Sequence, residues 1–99
     1  MSNKPSITTT HRIEVIVWFH KRRTARSPWS AVAYLLDDSK TPPALIETGS
    51  CTEADSEMVA ASEALRDLQG RPDGRYDSLV RKALANPERV ILERRGVDS

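Results

Sequence analysis

Arg12-Ile13-Glu14-Val15-Ile16-Val17-Trp18-Phe19-His20-Lys21 decides the architecture. By the two-residue period of a strand, Ile13, Val15, Val17 and Phe19 share one face. Glu14, Ile16, Trp18 and His20 share the other. Apolar groups on both faces predict a central strand. Downstream, Trp29 to Leu36 alternates in the same way, and the connection Arg22 to Pro28 is short enough for a hairpin. Asp37-Asp38-Ser39-Lys40-Thr41-Pro42-Pro43 is a turn, since neither proline can donate to a ladder. A third strand follows from Ala44 to Thr48, or slightly longer.

The segment after it predicts a helix ending at Gly70. Thr52 serves as the N-cap, Asp55 takes the third helical position, and Glu53, Asp55 and Glu57 suit the positive end of the helix dipole. Ala54, Met58, Ala61, Leu65 and Leu68 form the inward stripe, flanked by Val59 and Ala64. Gly70 supplies a left-handed stop, with Pro72 beyond it. After a turn at Pro72-Asp73-Gly74, a shorter helix runs from Tyr76 to Ala85 with Tyr76, Leu79, Val80 and Ala83 inward. Val90 to Glu93 forms a fourth strand, and Arg94, Arg95 and Gly96 lead to a frayed end. The expectation is an α+β fold in β-β-β-α-α-β order: a small, mainly antiparallel sheet of three to four strands with one or two helices on one face. It occupies residues 11–96 as a single domain, after a flexible tail at 1–10.

A chain of 99 residues supports one modest core. Its 38% hydrophobic and 29% charged shares are those of a folded domain. The longest apolar run falls far short of the roughly 18 residues of a membrane span. The polar start and the single cysteine, Cys51, point to the cytoplasm. The net charge of +1 hides a sorting by segment. Residues 1–28 set Lys4, Arg12, Lys21, Arg22, Arg23 and Arg26 against Glu14 alone. Residues 29–70 set Asp37, Asp38, Glu47, Glu53, Asp55, Glu57, Glu63 and Asp67 against Lys40 and Arg66. Such a layout can steer a charged partner.

Catalytic and metal-binding sets find little support. His11 and His20 lie an odd number of residues apart, on opposite faces and about 30 Å from each other along an extended strand. With Cys51 they make no metal-ligand spacing. The four glycines, at 49, 70, 74 and 96, are too dispersed for a phosphate-cradling loop. No cofactor and no metal are expected.

Two partial resemblances carry specific implications. The strand order, with Glu57 in Ser56-Glu57-Met58-Val59-Ala60-Ala61, resembles the front half of the ribonuclease H-like fold, whose helix glutamate precedes a similar stretch. That likeness implies a metal-dependent nuclease with Glu57 as a ligand and Glu14 and Glu93 as the available partners. The chain departs from the family at Val17-Trp18-Phe19-His20-Lys21, which lacks the first-strand aspartate. Residues 44–68, with Ala60-Ala61-Ser62-Glu63-Ala64-Leu65, are similar to the third strand and last helix of double-stranded RNA-binding domains. There the departure is Glu53, Asp55 and Glu57 where that family places lysines, together with a missing N-terminal helix.

The composite reading is a small non-enzymatic interaction protein that binds a protein or nucleoprotein complex through charged surfaces, as a monomer or homodimer and away from membranes. A phage-type inhibitor of a host defence complex, similar in size and charge layout to anti-CRISPR proteins, is one form of it. Lys21, Arg22, Arg23 and Arg26, with Trp18 and Trp29, form the first expected contact surface. Glu53, Asp55 and Glu57 form the second. The alternative is a nucleic-acid-binding module that grips phosphates with the basic loop 21–26.

Overall fold

The structure is a computed structural model that describes residues 11–22, 27–71 and 76–97. The expected tail, the Pro72-Asp73-Gly74 turn, and Arg23 and Arg26 of the basic loop lie outside the described residues. Four strands, β1 (His11–His20), β2 (Trp29–Asp37), β3 (Ala44–Ala54) and β4 (Ile91–Val97), form one sheet in the order β3-β2-β1-β4. Helices α1 (Glu57–Gln69) and α2 (Asp77–Ala85) and a 3-10 turn (Pro87–Val90) connect β3 to β4. This is the expected α+β fold.

β1 is central, as its two apolar faces require. It pairs antiparallel with β2 from His11↔Asp37 to Phe19↔Trp29, and His20 N–H donates to Pro28 O at 2.7 Å to close the hairpin. β2 pairs antiparallel with β3. β4 lies along the other edge of β1 and runs parallel to it. A parallel neighbour needs a crossover, and the two helices supply it by carrying the chain across one face of the sheet.

That face holds the core. Val15, Val17, Ala33, Leu35, Ala60, Ala61, Ala64, Leu65, Leu68 and Val80 are fully buried there. Gly49 lets α1 come close: a Cβ at this position would lie within 3.0 Å of the backbone N and Cα of Leu68 and the backbone O of Ala64. Burial of each large aliphatic side chain in this layer contributes roughly 1.5–3 kcal/mol.

Several expectations about α1 are corrected. β3 continues to Ala54, so Thr52 is a strand residue and not the N-cap. Ser56 is the cap, and its hydroxyl accepts from Val59 N–H at 3.1 Å. Asp55 precedes the helix, and Glu57 is the acid of its first turn. The buried stripe is Ala60, Ala61, Ala64, Leu65 and Leu68, with Ala54 buried from β3 and Met58 38% exposed. Gly70 ends the helix in the right-handed region (φ −80°), where no glycine is required. The second helix matches its expected span within one residue. Arg94, Arg95 and Gly96, expected to fray, are ladder residues opposite Val17, Trp18 and Phe19.

Candidate interaction surface

The alternation in β1 and β2 sends the two tryptophans to opposite sides of the sheet. Trp18 pairs with Ser30 on the face away from the helices. Trp29 pairs with Phe19 and packs against the helix-side core. The expected single surface containing both tryptophans is therefore split in two.

On the helix side, the hairpin end of the sheet forms a shallow recess lined by Phe19, Trp29, Arg94, Arg95 and Gly96. The rings of Phe19 and Trp29 sit 4.9 Å apart at 58°. Phe19 is 38% exposed even though it continues the core face of β1, because α1 begins short of it. Glycine at 96 opposite Phe19 leaves the ring's flank uncovered. A Cβ there would meet Lys21 Cε at 3.7 Å, an ordinary contact, so the opening is a matter of side-chain size and not of backbone need. Lys21 N–H donates to Val97 O at 2.9 Å and fastens the end of β4 to the hairpin.

Behind the recess, Arg94 reaches from β4 to two acids. Its Nη2 lies 2.7 Å from Glu88 Oε2, and its Nε sits against Glu57 Oε2, an atom enclosed by protein. Glu88 first and Glu57 second hold the Arg94 guanidinium above its ordinary value. The charge of Arg94 is thus matched within the chain. Its fixed plane and the two rings beside it make an apolar floor with a cationic wall.

The expected acidic surface is dispersed. Glu53 is exposed at the end of β3, Asp55 is exposed in the link to α1, and Glu57 turns inward to Arg94. Of the basic set, Lys21 and Arg22 are exposed at the end of β1. The three acids implied by the ribonuclease H likeness do not converge. Glu14 faces the open side and bonds Arg12 Nε at 2.9 Å, and Glu93 bonds Arg95 Nη2 at 2.6 Å. The His11 ring meets Tyr76 at a tilt of 54°, with centroids 5.0 Å apart, while His20 Nε2 lies 2.7 Å from Ser30 Oγ. Among the described residues, no group of three or more His, Cys, Asp or Glu side chains is placed to hold a metal ion. Burial pushes the Cys51 thiol up, away from thiolate chemistry. No described helix is long and apolar enough to cross a membrane.

Sequence reasoning misses Arg94 and Phe19 as residues of the candidate site. The signal for Phe19 is its place one step beyond Val17 on the core face, where a helix of 13 residues need not reach. Comparison with protein families, with curated proteins and with solved structures finds no match to this chain.

Proposed function

We propose that this is a non-enzymatic, cytoplasmic interaction protein that binds a protein or nucleoprotein partner through the hairpin end of its sheet. The observation that carries the reading is the recess of Phe19 and Trp29 walled by Arg94. Aromatic and arginine side chains are enriched among the anchors of protein interfaces. The pairing of Arg94 with Glu57 and Glu88 supports a protein side chain as the occupant, because phosphate binding draws on cations that are not already matched. Lys21, whose Cε lies beside Gly96, and the exposed Arg22 next to it in sequence carry positive charge at this end of the sheet, which steers an acidic partner without specifying it. Inhibition of a larger complex by occupying one of its surfaces is the form of activity this size suits.

The test is capture of a partner from the source cells by the native protein and by two variants, Gly96→Val, which fills the recess, and Phe19→Ser, which removes its floor. The expected result is a partner held by the native protein and lost by both variants, each still folded by circular dichroism. Labelled single- and double-stranded oligonucleotides are titrated in parallel at roughly 50 and 200 mM salt. Salt-sensitive binding abolished by Arg22→Glu would replace this reading with the nucleic-acid module.

A further inference from the structure

The other face of the sheet carries a second surface, independent of the recess. Among the described residues, both helices and the core lie on one side, and nothing covers the other. Antiparallel sheets commonly leave one face to water, but that face is then polar. Here it presents Ile16 and Trp18 from β1, and Val32, Tyr34 and Leu36 from β2, all half-buried, beside the smaller polar Ser30, Thr48 and Ser50. Leu45 of β3, opposite Leu36, is 56% exposed.

The ion pairs of this face leave one carboxylate in excess at the Arg12 end. Arg12 bonds Glu14 at 2.9 Å and Asp38 at 2.7 Å at one end, and Arg95 bonds Glu93 at 2.6 Å beside Trp18. An apolar strip with internally paired charges offers nothing particular to a phosphate chain or to a strongly charged protein. It suits self-association, because a two-fold contact sets the same patch against itself and a strongly charged patch would repel its copy, whereas the single excess charge here lies at the Arg12 end of β1, away from Trp18. Four strands about 4.8 Å apart and about nine residues long give a face of roughly 600 Å². With the polar positions of β3 and β4 included, that reaches the lower bound of about 600 Å² that a specific interface buries per partner.

We infer that a second copy of this chain covers the open face, in a sheet-on-sheet dimer centred on Trp18 and Val32. The hairpin-end recess opens on the helix side, borders this contact only at Arg95, and stays available in the dimer.

Sedimentation velocity from about 1 to about 100 µM tests this, since a homodimer responds to protein concentration. The native chain is expected to shift from monomer to dimer. Val32→Glu and Trp18→Glu are expected to remain monomeric while keeping the native circular dichroism spectrum, and Gly96→Val is expected to dimerise like the native chain. A second readout serves if either glutamate variant unfolds. In Trp29→Phe, Trp18 is the one remaining indole, and its emission should move to shorter wavelength as the dimer forms. A native chain that stays monomeric with unmoved Trp18 emission overturns the inference. So does a dimer that Val32→Glu and Trp18→Glu leave intact. Oligonucleotide binding by a monomer, lost in Trp18→Glu, overturns it in favour of a nucleic-acid platform.

Discussion

One strand separates the two faces of this sheet. On β1, Val15 and Val17 are 0% exposed, while Ile16 and Trp18, each one residue further along the chain, remain half-buried. Both faces are apolar, so hydrophobicity alone does not select which one the helices cover. Size selects it. Opposite Val15 and Val17 stand Ala33 and Ala31, then Gly49 and Cys51, and α1 meets them with Ala60, Ala61 and Ala64. Small side chains on both surfaces let the helix backbone approach the sheet. On the other face the corresponding β2 positions hold Tyr34 and Val32, with Thr48 and Ser50 beyond them on β3, so the bulk stands where the covered face has Ala33 and Ala31. The aromatic face is the one on which we place the second copy.

The strongest way to break this contrast is to put bulk into the close contact. Gly49→Val drives a branched side chain into the backbone of Ala64 and Leu68, atoms that cannot rotate away. The expected outcome is loss of the cooperative unfolding transition, seen in thermal melts by circular dichroism. A native-like melt for Gly49→Val would show that α1 does not depend on this approach.

The next test sets the faces against each other. Leu65→Ala, at a position 0% exposed, is expected to cost about 2–5 kcal/mol. Ile16→Ala, at a half-buried open-face position, should cost about 1 kcal/mol when measured by urea unfolding at low micromolar concentration. Equal costs would mean that the open face is as well packed as the core, and the distinction would fall.

The alternation of β1 and β2 and the span of α2 are legible in the sequence because each depends on a local period. The start of α1 is not. Thr52 and Ser56 are both hydroxyl residues suited to an N-cap, and residues 49–53 have weak strand propensity. They form strand because β2 continues alongside them, with Ala31 opposite Cys51 and Trp29 opposite Ala54. The site is less legible still. The register Phe19↔Trp29 depends on the hairpin connection, which fixes which tryptophan turns to which face. Arg94 and Arg95 lie in a weak strand sequence that is ordered by pairing with Val17 and Trp18.

The smallest expected effect concerns the tie between the covered face and its helix. Asp67 of α1 accepts a hydrogen bond from Ser50 N–H at 2.9 Å, and Arg71 Nη2 lies 3.1 Å from the same oxygen. The Ser50 amide first and Arg71 second hold this carboxyl below its usual value of 3.8. A carboxyl whose folded value is depressed adds stability above its unfolded value and loses that contribution as pH falls through the folded one. The contribution is therefore complete at neutral pH and fades only in acid, below about pH 4. Because the Asp67 side chain is 38% exposed, solvent screens it and its effect is a modest change in slope. Melting temperature followed from about pH 5 down to about pH 2.5 should fall more steeply for the native chain than for Asp67→Asn, which keeps an acceptor oxygen but carries no charge. Parallel slopes would mean that the Ser50 contact holds α1 to β3 through geometry alone, and that the pairing of the helix with its face owes nothing to the charge on Asp67.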